Sequence, residues 1–310
     1  MKPPAQLSAP AFARAAAFLR QARPLERTLF AFHFEQSPAT AVATELVKFQ
    51  NPDGGFFGLE ADIGFDASTV LSTCHALHIL HELGTPVSDP LVQQALRFLN
   101  ATFDPAIEAW PIIPPHDNTQ PHAPWWHYSD KFMENPGRFQ NNPGPDVLAC
   151  LYAFPSGSMA SLRQRVSEAV TTRLELPSNQ IDLDGLRCYL RLYEPPQIPV
   201  KLRQVLERQL PSAIQKSVER DPAQWGGYKL RPLEVAPTAD SPWRSLLGES
   251  IEANLGYLID RQTAQGCWDP HWNWGGTFPE AWEDSKRRWQ AVLTLANLRT
   301  LRSYGRIQLA

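Results

Sequence analysis

The chain has 310 residues, 43% hydrophobic and 20% charged, with a formal net charge of −3. That composition suits a globular protein burying roughly three quarters of its unfolded surface, and it offers no basic field for nucleic acid or anionic lipid. The four cysteines, at 74, 150, 188 and 267, form no CxxC pair and read as reduced thiols, which suits a cytoplasmic setting.

Near the N-terminus, Arg14, Arg20 and Arg23 interrupt the apolar residues, the pattern of neither a signal peptide nor a membrane span. Periodicity predicts helices over 10–21 and 24–34, the second opened by Pro24. A third, over 38–50, carries Val42, Leu46 and Phe49 in one apolar stripe. A Gly-rich acidic turn follows. The helix expected over 66–83 is apolar around most of its circumference, as a helix buried on several sides is. Asp66 or Ser68 is its expected cap and Gly84 its stop. His75, His78 and His81 lie on it at i, i+3, i+6. Without HExxH or Cys/His spacing they read as helix-core or helix-end residues.

Residues 88–100 are again one-striped. The connection 101–144 is long enough to suggest function. Helices are then expected over 145–154, 158–174, 181–193, 199–218, 249–262 and 279–304, with an irregular stretch at 221–247. One-striped and more buried helices alternate with a period of about 50 residues, which predicts a helical array. The expected fold is all-α: one domain over 1–310, an α/α toroid with about six outer and six inner helices. In such a ring the long connections 51–65, 101–144, 219–241 and 263–279 share one rim. Most of the ten tryptophans lie in or beside them.

A tryptophan-lined rim around a buried ring predicts a concave, largely apolar pocket. The alternative is that the indoles fill loop gaps. Trp110, Trp125, Trp126, Trp225, Trp268, Trp272 and Trp274 are the candidate lining residues. Asn141 and Asn142 would bond a polar substrate group or shape a turn before Pro143. His122 would move a proton or bind such a group. Glu283 opens the last helix, facing the cavity or its own helix dipole. Glu60 and Asp62, at i, i+2 on the first long loop, are the leading acids. Crowding two carboxyls raises one and makes it a general acid, with Asp62 the first choice. Salt-bridge or capping roles are the competing reading.

Two segments, Gln50–Phe56 (QNPDGGF) and Gln262–Trp268 (QTAQGCW), align as Gln, Gly and aromatic. They resemble the QW motif of triterpene cyclases and of the β-subunits of protein prenyltransferases, and the chain most resembles short single-domain bacterial proteins carrying that repeat. Worn copies lie at Asn100–Trp110 and Glu219–Trp225. The resemblance implies the α/α toroid. It also implies an acid-initiated cyclisation or isomerisation of an isoprenoid-like apolar substrate, with the aromatic faces steadying a cation. The D-x-D-D acid motif of such cyclases has its nearest counterpart in Asp182-Leu-Asp184-Gly185, which lacks the last Asp. Asp182 and Asp184 also suit a helix start. The Asp-x-Cys zinc ligand pair of prenyltransferases does not occur, so no metal and no cofactor is expected.

The expected partner is therefore a small apolar or sugar-like ligand in the central cavity. Neither nucleic acid nor a membrane span is expected. Two rival functions stand beside the cyclase-like enzyme. One is a carbohydrate-active α/α-barrel glycosidase or lyase, which suits tryptophan platforms with carboxylates. The other is a non-catalytic ligand-binding toroid.

Overall fold

The structure is a computed structural model that describes residues 5–116, 118–129, 134–176 and 179–308. Among these residues the regular structure is helical, with only isolated β-bridges besides. No helix among them is long and apolar enough to cross a membrane. The chain divides into two compact units, Leu46–Lys216 and a second made of Met1–Glu45 with Ser217–Ala310.

The helices are α1 (Ala9–Arg20), α2 (Pro24–Phe34), α3 (Ala39–Leu46), α4 (Val70–Glu82), α5 (Pro90–Ala101), α6 (Gly144–Ala153), α7 (Ala160–Glu175), α8 (Leu183–Tyr193) and α9 (Val200–Ser217). After them come the short α10 (Pro232–Val235) and α11 (Arg244–Leu247), then α12 (Ser250–Asp260) and α13 (Pro279–Ser303). Most of these elements match the periodicity. Three differ, each for a local reason. The third helix ends at Leu46 in a 3-10 turn, Val47–Phe49, that leads into the Gly-rich turn. The stretch 221–247 contains α10 and α11, too short for periodicity to show. The fourth helix starts at Val70, because Thr69 caps it through a bond from Ser72 N–H (2.9 Å). Asp66 and Ser68 are committed elsewhere: Asn51 Nδ2 donates to the Asp66 carbonyl and to Ser68 Oγ, which itself donates to Asp53.

In the Leu46–Lys216 unit, α6 is the core element. Nine of its ten residues are buried, and it packs on α4, α7 and α8. By contrast α5 buries a single face, Val92, Ala95, Leu96, Phe98 and Leu99. Its N-terminus is set by Asp89, whose carboxylate accepts from Leu91 N–H, followed by Pro90 at the first helical position. In the other unit α13 packs on α1 and α2.

The two Gln–Gly–aromatic turns have the same geometry. Gln50 Nε2 donates to the Gly54 carbonyl and to Leu91 O in the first turn of α5, both at 3.0 Å. Gln262 Nε2 donates to the Gly266 carbonyl and to Ala11 O in the first turn of α1, also at 3.0 Å. The aromatic residues follow suit: Phe56 N–H bonds Thr73 Oγ1 on α4, and Trp268 N–H bonds Thr294 Oγ1 on α13. Hence α1 stands to the second turn as α5 stands to the first. The terminal segments reinforce this, since Leu7 N–H donates to Arg306 O and Gln308 N–H to Leu7 O.

Glycine is required at the centre of each turn. Gly54 and Gly266 have φ of +89° and +91°, and an added Cβ would sit 2.4 Å from the Gln94 carbonyl oxygen and 2.5 Å from the Arg14 carbonyl carbon. Backbone strain and a backbone clash therefore combine. Gly54→Ala and Gly266→Ala are each expected to destabilise by roughly 2–4 kcal/mol. Gly84→Ala, at φ +70° with nothing within 4 Å, serves as the strain-only comparison at about 1 kcal/mol. Urea midpoints measure all three, and equal losses would contradict the docking role.

Candidate active site

The loop between the first turn and α4 is pinned at both ends. Asp53 accepts from Gly55 N–H and from Ser68 Oγ. Farther along, Gly64 N–H donates to Pro121 O and Ala123 N–H to Asp62 O, so Ile63 and His122 lie across a short antiparallel bridge. This lashing buries Glu60 and Asp62, at 7% and 3% exposure. Asp62 N–H donates to Glu60 Oε1 (3.3 Å). Burial, and next the Asp62 charge, push the Glu60 carboxyl up to about 8. Glu60 is thus a neutral carboxylic acid at neutral pH.

A second polar group lies where α4, α6 and α8 meet. Asp146, 1% exposed, sits in the first turn of α6. Its Oδ1 is 2.7 Å from His78 Nε2 on α4, and its Oδ2 accepts from Arg191 Nη1 on α8 at 2.9 Å. Burial alone would raise Asp146, but Arg191 and His78 outweigh it and hold the carboxyl well below the usual carboxylate range. Burial likewise opposes the charge on His78, yet Cys150 and then Asp146 outweigh it and keep the imidazole raised above its ordinary value. One turn before it, His75 is neutral: burial, then Arg191, push it down to about 4.

Cys150 lies 3.8 Å from His78 Nε2, and its Sγ faces the Cys74 carbonyl oxygen at 3.9 Å. Burial opposes ionisation there. A hydrogen bond from Cys74 and the His78 charge work the other way and draw the thiol below its ordinary value. A sulfur facing a carbonyl oxygen needs its proton, and a second buried anion beside Asp146 is costly. His78 and Arg191 sit deep among protein atoms, yet their side chains keep 30% and 40% of their surface open. Both cations are therefore partly reachable from solvent while Asp146 between them is not. Arg191 is near enough for its charge to act on Glu60, so the two groups belong to one neighbourhood.

The remaining sequence candidates fall elsewhere. Asp182 is the N-cap of α8, accepting from Gly185 N–H at 2.7 Å, and Asp184 pairs with Arg187 at 2.7 Å. Asn141 accepts from the Tyr189 hydroxyl (2.7 Å), and Asn142 from the Cys188 thiol (3.5 Å). Both therefore tie the start of α6 to α8. Trp110, Trp225 and Trp268 are buried plugs whose indole N–H groups donate to Leu99 O, Glu219 O and Leu258 O, at or just past helix ends.

Trp274 is buried beside Trp282, and Trp272 meets Trp289 edge-on at 5.0 Å. Trp125 is exposed, whereas Trp126 packs partly buried against the Ile63, Phe65 and Phe139 cluster. His122 donates from Nδ1 to Gln120 O (2.6 Å), so its Nε2 accepts from His127 Nδ1 at 3.4 Å. Burial lowers its pKa. Glu283 is exposed just past the first turn of α13. Trp225, Trp268, Trp272, Trp274 and Glu283 belong to the unit with the termini; the others belong to Leu46–Lys216.

Periodicity passed over His78, Asp146 and Arg191 as site residues. The available signal was a lone carboxylate inside an otherwise apolar helix, PDVLACLYAF, which needs a buried cation somewhere. Among the described residues no group of His, Cys, Asp and Glu is arranged to hold a metal ion. No protein-family model matches the chain, and a search of curated proteins found no match.

Asp146→Asn leaves both cations without their carboxylate. Because both remain partly wetted, the expected loss is about 2–3 kcal/mol, below the range for fully buried pairs. The folded-state pKa of Asp146 is depressed, so its stabilisation is present above the ordinary carboxylate range and is lost as pH falls below it. Denaturation at about pH 7 and about pH 3 checks this: the variant's deficit must shrink in acid.

Proposed function

We propose that the chain is an α/α toroid of the terpenoid-cyclase and prenyltransferase type, with about six outer and six inner helices, acting as an acid–base enzyme on an isoprenoid-like substrate. Support for the ring comes from the second turn, which docks on α1 as the first docks on α5. An array whose last repeat treats its first helix as the next one needs no end caps.

Glu60 is the proton donor in this reading, and its buried, neutral carboxyl carries the proposal. A carboxyl of about 8 is a weak acid for attacking an unactivated alkene. It suits proton transfer near neutral pH, where donor and conjugate base are both accessible within one turnover. The isomerase side of the activity is therefore favoured over cation-initiated cyclisation. In such a turnover Glu60 gives its proton to one carbon, and a proton lost from a neighbouring carbon restores it. Asp62 sets the acid rather than acting as it: its charge keeps Glu60 protonated. A glycosidase needs its two carboxyls on opposite sides of a scissile bond, about 5–10 Å apart. Glu60 and Asp62 share one short loop and a hydrogen bond, which disfavours that reading.

The test begins with the acid itself. Carbon-13 NMR of labelled glutamate carboxyls is expected to show one titration near about 8, absent in Glu60→Gln. The folded pKa is raised, so the stability contributed is full below about 4.5 and lost as pH rises through about 8. Glu60→Gln should flatten that decline, a difference of roughly 5 kcal/mol at most by about pH 9. Native mass spectrometry of protein purified from cells would identify a retained ligand. With a substrate so identified, Glu60→Gln is expected to lower kcat by about 10²–10⁴-fold. Unchanged turnover would mean that Glu60 is not the acid.

A further inference from the structure

Two partly exposed cations, Arg191 and His78, take no part in the proton transfer. We propose that Arg191 and His78 form the recognition site for a single carboxylate group on the substrate, held in register from behind by Asp146. The proposal rests on the reading of Glu60 as the acid only for where the reacting carbons lie; the anion site itself stands on geometry.

Asp146 occupies one donor of each cation and fixes both. Of the Arg191 guanidinium, only Nη1 is committed to Asp146; Nε and Nη2 make no hydrogen bond among the described residues. His78 is held through Nε2, and its Nδ1 likewise has no partner among the described residues. Both side chains keep part of their surface exposed. A guanidinium fork beside an imidazole N–H matches the two oxygens of a carboxylate.

The free donors suit a carboxylate, and the surrounding acids weigh against a more highly charged group. Arg191 and His78 share the single carboxylate of Asp146, which leaves the guanidinium edge and one imidazole nitrogen for a ligand. Around the cations stand Asp184, paired with Arg187, and Glu194, one turn beyond Arg191 at the end of α8. These acids leave no room in the electrostatics for a phosphate or diphosphate, whose second charge would meet no partner. The ligand class is an apolar chain ending in one carboxylate.

Isothermal titration of the full chain with octanoate, octanamide and octyl phosphate tests this directly. Octanoate is expected to bind at least about tenfold more tightly than either relative. Arg191→Lys keeps a charge beside Asp146 but loses the fork, and is expected to weaken octanoate about tenfold. His78→Gln serves as the second variant should Arg191→Lys not fold, and is expected to act in the same direction. Octanoate that fails to bind, or binds no better than octanamide, overturns the site. So does unchanged affinity in a folded variant, while tighter octyl phosphate overturns the monoanion assignment. The Glu60 carboxyl titration is independent of these outcomes. Its absence from the wild type sinks the acid reading alone, and its persistence in Arg191→Lys leaves a failed octanoate result to count against the anion site alone.

Discussion

A carboxylate on an apolar helix must find cations or stay out of the core. Asp146 lies in the first turn of α6, the most buried helix of its unit, and so cannot stay out. It draws His78 from α4 and Arg191 from α8, one to each oxygen. Three helices that would otherwise meet through interchangeable apolar contacts are thereby given one rotational setting each. A slip of α4 by one residue turns His78 about 100° away from Asp146. Buried polar contacts of this kind add little net stability against an apolar substitute, but they penalise every alternative packing.

The Gln–Gly–aromatic turns work on the backbone instead. Each spends a side-chain amide on two carbonyls, one within its own turn and one on a neighbouring helix, α5 or α1. The glycine then brings that helix closer than any side chain allows. Distance between neighbouring helices is set by van der Waals contact of backbone with backbone, and lateral position by the amide. The aromatic residue's N–H, bonded to a buried threonine, fixes α4 in one copy and α13 in the other by the same stroke. Because both positions are satisfied identically in the two copies, repeat spacing is a property of the turn rather than of the loop that follows it.

Much of this was legible before any coordinates. The helices follow from apolar spacing, and the two glutamine turns from a pattern that survives in QNPDGGF and QTAQGCW. Glu60 and Asp62 stood out as carboxyls on a loop with nothing nearby in sequence to neutralise them. Tryptophan was harder to place. An indole is large, apolar and carries one donor, so it serves equally to line a cavity or to close a helix end. Trp110 and Trp268 close helix ends, with N–H groups on Leu99 and Leu258. Which use applies depends on whether a bare carbonyl lies in reach, and sequence spacing does not report that. His78, Asp146 and Arg191 escaped for a related reason. They are far apart in the chain, and each alone looks like an exception to its helix rather than part of a set.

Glu60 and Asp146 show how one fold sets two carboxyls to opposite uses. Both are buried, and burial pushes both toward the neutral form. Their partners decide the outcome. Glu60 has a carboxylate two residues away and only a distant guanidinium, so desolvation wins and the proton stays. Asp146 has two cations in direct contact, so the charge stays. Moving Arg191 toward Glu60 would ionise the acid and strand Asp146 at once. The guanidinium must therefore stay on Asp146 if both carboxyls are to keep their states.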